Sequence, residues 1–345
     1  MEESTLINKP RLDHIDIFRG IGIIYMIIGH VRFGWTVDKY IHGFHMPMFL
    51  FISGYFFNIK RYNSIKQLIR RKAKNLLVPY LYFGLIHYLI WLFYIGINEK
   101  LDLLKYLSNL FWINTSGEMP IAGALWFLTC LFLVEILFFF LTKVLVKRAW
   151  IAIGISIVSL AGSLIPRYLD IRFPFAGDVA MAGIGIFYVG NLVRKYSEDH
   201  MYIKKLNITI FKTLVLFLIS GLLIFVNGYV NMRTAEYSII PLFYINAIIS
   251  ILAYWNISKL STITNFILVK ISVNILKYIG KNSIIYLCLN QLVILLLQQF
   301  SSFVLIDSVL ILLFIRTLIF ISSILLLYML TEFITKTKIK FLIGK

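Results

Sequence analysis

Acidic residues are scarce in this chain: 16 Asp and Glu stand against 34 Lys and Arg among 345 residues. All charged residues together make up only 14%, while 60% are hydrophobic, too little charge for a soluble protein of this size. Cysteine occurs twice, at Cys130 and Cys288, each inside an apolar run, which excludes a disulfide framework and suits buried packing residues. Proline-rich or otherwise low-complexity linkers are missing, and no internal repeat stands out, which disfavours transporter folds built from duplicated halves. There is no zinc-ligand spacing, no phosphate-cradling glycine loop and no nucleophile elbow, so no metal is expected. A cleavable leader is not expected either, because Arg19 interrupts the first apolar run.

What fills the chain instead is a series of apolar runs of roughly 20 residues, the length that crosses a bilayer as a helix. At that depth open sheets would leave backbone groups unsatisfied, so the fold expected is all-α and polytopic. One transmembrane domain over residues 1–345 accounts for the whole chain, with ten spans at about 15–35, 43–59, 76–97, 121–142, 149–166, 176–193, 208–228, 238–257, 283–300 and 309–331. Both termini are then expected in the cytoplasm. Under that topology most Lys and Arg gather in the inner loops and tails, notably Lys60–Lys74, Arg194–Lys212 and Lys336–Lys345. That is the positive-inside bias of a multi-pass protein of the inner, cytoplasmic membrane, and it explains the net charge of +18 without nucleic acid. The segment Ser258–Asn282 is too polar to span and reads as an interfacial helix.

Inside the first run, Arg19 and His30 stand eleven residues apart. Eleven residues are close to three turns, so both side chains leave one helix face, about 16 Å apart along the axis. A charge at membrane depth costs several kcal/mol, so it is usually kept for function. Neutral imidazole accepts a proton from a hydroxyl near pH 7, which suits acyl transfer to an alcohol, as general base or as transient acyl carrier. Asp16, one turn below Arg19, is expected to pair with it. At about 21 Å by helical rise Asp16 does not reach His30, so the group that orients the imidazole must come from another helix. The basic loop Lys60–Lys74 reads as a topology anchor on anionic lipid, as a docking site for a phosphorylated cofactor with Arg70, Arg71 and Lys74 as its expected ligands, or as both. Further substrate or structural candidates are His45 beside Pro47, Glu135 in a buried ion pair at a depth similar to Arg19, and Arg316 near the level of His30.

Taken in order, these segments resemble the acyltransferase-3 family of membrane O-acyltransferases. Leu12–His30 is similar to the family's opening Asp-x-x-Arg with its Arg-x10-His; Phe44–Phe56 resembles its Ser-Gly-Tyr stretch, and Arg70–Tyr80 its basic run ending in Pro-Tyr. Leu125–Leu128 and Ile279–Ser283 are similar to later signatures, and the branch resembled most is the fucose 4-O-acetylase-like one. Leu131 departs from the family's glutamate in the fourth helix, and Asn290 stands where many relatives carry a histidine. The resemblance implies ten membrane helices, acetyl-CoA from the cytoplasm as co-substrate, and acetyl transfer to a sugar hydroxyl of an envelope or exported glycan or of a lipid-linked sugar. It implies His30 as the catalytic histidine and Arg19 as the essential arginine. The rival expectation is a secondary transporter or flippase whose path is lined by Arg19, Glu135 and Arg316. The bilayer is a partner under either reading, and the oligomeric state is not legible.

Overall fold

The protein is described by a computed structural model over residues 12–93, 103–112, 114–115, 123–199, 210–263, 266–301 and 308–344. Among the described residues it is all-α, as expected, with no named strand and a single isolated bridge between Asn231 and Glu236. The helices are α1 (Asp13–Val31), α2 (Trp35–His42), α3 (His45–Phe56), α4 (Ile65–Lys72), α5 (Val78–Trp91), α6 (Leu103–Phe111), α7 (Trp126–Val144), α8 (Arg148–Leu169), α9 (Gly177–Asp199), α10 (Ile210–Asn227), α11 (Ile240–Ile263), α12 (Ile267–Lys281), α13 (Ser283–Ser301) and α14 (Val309–Lys336). A π-helical turn, Ala73–Leu77, joins α4 to α5.

Among the described residues seven helices are individually long and apolar enough to cross a membrane: α1, α7, α8, α9, α10, α11 and α14. An eighth crossing is counted if α12 and α13, which meet at 92°, are taken as one broken span. The expected count of ten includes 43–59 and 76–97, where the helices proper are 12 and 14 residues long. At about 1.5 Å per residue α3 is shorter than the roughly 30 Å of hydrocarbon, whereas α5 continues the π-turn Ala73–Leu77 and stays helical to Phe93, and 94–97 lie outside the described residues. Within α3, nine of its residues are buried, so it is wrapped by its neighbours rather than by lipid. The first span ends at Val31, earlier than the hydropathy suggests, because Arg32 takes a left-handed conformation with φ of 64°. Most of the expected interfacial segment is α12, although Ser258 still belongs to α11. Phe266, Ile267 and Leu268 at the start of α12 face outward. Cys130 and Cys288 are buried and unpaired.

Two backbone-to-backbone contacts set the helices around the centre. A Cβ added at Gly20 of α1 would run into the Leu276 carbonyl of α12, and one at Gly280 of α12 into the Asp16 carbonyl of α1. The same reciprocity joins α3 and α9: Gly54 lies on the Phe187 carbonyl and Gly190 on the Phe51 carbonyl. Between membrane helices there is little hydrophobic gain to be had, so small residues that admit close packing carry the association. Around these contacts Phe18, Phe51 and Trp255 pack ring against ring at 5.4–6.3 Å. Replacing Gly54 or Gly190 by Leu should therefore lower the unfolding free energy by about 1–3 kcal/mol or more. Thermal melting of the detergent-solubilised protein checks this; unchanged melting of both variants would mean that the α3–α9 contact does not hold the bundle.

Candidate functional site

His30 sits in the last turn of α1, at the wall of a polar cavity of about 290 Å³. The cavity is lined by α1, α2, the start of α3, the entry to α7, the loop between α10 and α11, and the middle of α13. Its polar lining comprises His30, Arg32, Asp38, His42, His45, Tyr229, Asn231, Arg233, Gln291 and Gln298.

The partner of His30 is Asn290 of α13, with the imidazole Nδ1 2.5 Å from the side-chain Oδ1. The Asn290 amide nitrogen donates to the carbonyls of Tyr286 at 2.9 Å and Leu287 at 2.7 Å. With its NH₂ committed to those acceptors, Asn290 turns its oxygen to His30, so Nδ1 carries the proton and Nε2 keeps the lone pair. That is the tautomer a base or a nucleophile at Nε2 needs. The orienting group thus comes from another helix, as the length of α1 requires, and it is a carboxamide, not a carboxylate.

His45 is buried and donates from Nδ1 to the Ile41 carbonyl at 2.9 Å. His42 places Nδ1 3.2 Å from the Asp38 carboxylate, and Tyr229 donates to the other carboxylate oxygen at 3.3 Å. Burial acts to raise the Asp38 carboxyl, but its interactions with His42 and then the hydrogen bond from Tyr229 outweigh it and hold the group below the usual carboxylate range. Burial, then the nearby Asp38 charge, pushes the Tyr229 phenol up to about 12, so it remains a donor. Arg233 enters from the α10–α11 loop, which Arg172 fastens by donating to the Arg233 carbonyl at 2.8 Å and to the fully buried Asp178 carboxylate at 2.7 Å. Gly123 lets Gln291 and Arg233 lie over the entry to α7, since a Cβ there would strike both side chains.

Of the residues expected from sequence, the cavity gathers His30 and His45. Arg19 lies toward the other end of α1 and does not line it: its guanidinium is 3.9 Å from Asp16, the expected pair, and sits over the Phe56 ring at 5.2 Å. Glu135 is buried, as expected, but its ion pair is with Lys72 of α4 at 2.6 Å, joined by Ser53 at 3.1 Å, and not with Arg19. The reason is the chain direction: α4 and the π-turn run along α7, which brings Lys72 to the carboxylate first. Arg70, Arg71 and Lys74 are exposed along α4 and the π-turn. Arg316 is half-buried on α14 and does not line the cavity beside His30. Arg19 and Glu135 border α3 at Phe56 and Ser53.

Sequence reasoning passed over Asp38, His42, Tyr229 and Arg233. The signal present was the Asp38–His42 spacing of four, which puts carboxylate and imidazole on one face of α2. Removing the oxygen that fixes His30 tests the site. Asn290→Leu should cut acyl transfer at least 10-fold while leaving the protein folded, and Asn290→Gln should not restore it; transfer at the parent rate in the Leu variant would show that the contact does not orient His30.

The comparisons agree with the sequence motifs. An acyltransferase domain model matches residues 12–332, nearly the whole chain. No curated protein and no solved structure matches it. With a tautomer-fixed histidine at the end of the Arg-x10-His helix and a family match of that extent, this chain belongs to the acyltransferase-3 family of membrane acyltransferases.

Proposed function

We propose that this protein transfers an acetyl group from cytoplasmic acetyl-CoA to a hydroxyl of an envelope or exported glycan, or of a lipid-linked sugar, at the inner membrane. The observation that carries this reading is the His30–Asn290 pair, which leaves the Nε2 lone pair of a neutral imidazole at the wall of a polar cavity. Such a nitrogen acts on an acyl carbon or on the proton of an attacking hydroxyl. The polar lining, with its hydroxyl, amide and guanidinium groups, suits a sugar better than an apolar acceptor.

On the donor side the residues present fit a phosphorylated thioester. Arg70, Arg71 and Lys74 are exposed on one short helix and its π-turn, where guanidinium and ammonium groups take phosphate oxygens. Arg19 lies on α1 over the Phe56 ring at the end of α3, about 16 Å from the imidazole by helical rise. It is positioned to meet the arm that links nucleotide to acyl group. The bound donor supplies an activated acyl carbon; the chain supplies its orientation, the lone pair of His30 and a route for the proton.

Purified protein in nanodiscs should release free thiol from acetyl-CoA. His30→Ala should reduce that release at least 100-fold, in keeping with the roughly 10²–10⁴ that a positioned acid–base group contributes. Both proteins should still gain thermal stability from acetyl-CoA, since binding to the folded state alone raises its melting temperature. Thiol release that survives the substitution would remove His30 from the chemistry. A parent protein that neither binds nor consumes acetyl-CoA would overturn the choice of donor.

A further inference from the structure

The cavity beside His30 holds a second imidazole set up differently from the first. His42 lies against α1 at Gly29, where an added Cβ would be 3.7 Å from His42 Cε1, one residue from His30. Its Nδ1 faces two acceptors of Asp38, the backbone carbonyl at 2.9 Å and the carboxylate Oδ1 at 3.2 Å. Two acceptors on that side place the proton on Nδ1, and Nε2 keeps its lone pair. Tyr229 completes the arrangement by donating to Asp38 Oδ2, with its ring 5.7 Å from that of His42.

The partners of the two histidines differ in charge, and that divides their work. A carboxamide accepts the N–H of His30 without neutralising a positive charge on the ring, so an acyl group on Nε2 sits on a cationic nitrogen that is readily displaced. A carboxylate does offset that charge, so the imidazole paired with Asp38 is the better resting place for a proton. The Asp38 carboxyl, held below the usual range by its partners, is ionised to do so. His45 shares the cavity, but its Nδ1 is turned to a backbone carbonyl.

On this geometry, and resting on the acyl-transfer reading above, we infer that His42, oriented by Asp38, is a second catalytic residue that takes the proton of the acceptor hydroxyl, while His30 carries the acyl group. In the first half-reaction His30 Nε2 forms a bond to the acyl carbon and the carbon–sulfur bond breaks, its electron pair leaving on the thiolate. The acylated His30 keeps its Nδ1 hydrogen bond to Asn290. In the second, the hydroxyl oxygen bonds to the same carbon as its proton passes to His42 Nε2. The carbon–nitrogen bond breaks and its electron pair returns to His30. The proton on His42 then passes to solvent, which protonates the thiolate, so thioester and alcohol become ester and thiol. A two-step course also separates a donor that arrives at one end of α1 from an acceptor that arrives at the other.

The test is rapid-quench measurement of thiol release and of labelled acetyl retained on the protein, with acetyl-CoA as substrate and water as acceptor. His42→Gln and Asp38→Asn should each release close to one equivalent of thiol in a burst and retain acetyl. Steady-state turnover should fall at least 100-fold for His42→Gln and at least 10-fold for Asp38→Asn. Added imidazole should speed turnover of His42→Gly, and His30→Ala should show neither burst nor retained acetyl. Parent-like turnover in both His42→Gln and Asp38→Asn would overturn the inference. So would loss of the burst in both while acetyl-CoA still raises their melting temperature. If the parent protein neither binds nor consumes acetyl-CoA, the reading beneath fails first and takes this one with it.

Discussion

A polar ring at the end of a membrane helix needs a partner from another helix, and the contact between His30 and Asn290 meets that need. The net value of a neutral hydrogen bond is about 0.5–1.5 kcal/mol, but leaving a buried partner unsatisfied costs about 1–3 kcal/mol. The pair is therefore worth more as a constraint than as a stabilising term. It fixes the relation of α1 to α13, the tautomer of the imidazole and the nitrogen that faces the cavity. The glycine contacts between α1 and α12 bring this about, because α12 leads directly into α13 through the 92° bend. A bulkier residue at Gly20 or Gly280 would move the helix that presents Asn290.

Apart from the entry to α7, the remaining walls of the cavity come from chain too short or too irregular to span. The αL residue Arg32 stops α1 and lets α2 turn back over it, which brings Asp38 and His42 to the level of His30. The α10–α11 loop closes another side. It uses positive φ at Gly228, Ala235 and Ser238 together with the Asn231–Glu236 bridge, and Arg172 and Asp178 fasten it to the head of α9. Toward the other end of α1, charge is handled differently. Glu135 is neutralised by Lys72 within the bundle, Arg19 by Asp16 at its edge, and the further cations of α4 stay exposed. The two ends of α1 thus face distinct chemistry: a polar, hydrogen-bonded pocket and an open basic surface.

Much of this was legible before any coordinates. The all-α architecture follows from apolar runs that only helices can carry across lipid, the Asp16–Arg19 pair from i,i+3 spacing, and the family from Arg-x10-His. Contacts between distant segments were not legible. Nothing in the chain says that Asn290 meets a ring 260 residues away, or that Lys72 reaches Glu135 ahead of Arg19. Hydropathy also sees apolar length but not packing: α3 is apolar because it is enclosed, so its composition matched a span that its 12 residues are short to make. Asp38 and His42 were overlooked because a polar residue outside a span looks like ordinary loop until the fold turns it inward.

The most direct test of the central claim is a cryo-EM structure with a non-hydrolysable 2-oxopropyl thioether analogue of acetyl-CoA bound, which keeps the acetyl carbonyl. The account predicts the nucleotide phosphates beside Arg70, Arg71 and Lys74, the arm passing Arg19, and the acyl carbon within about 3.5 Å of His30 Nε2, the reach of a near-attack geometry. An acyl group lodged elsewhere in the bundle, with His30 still bonded to Asn290 and remote from it, would contradict the account.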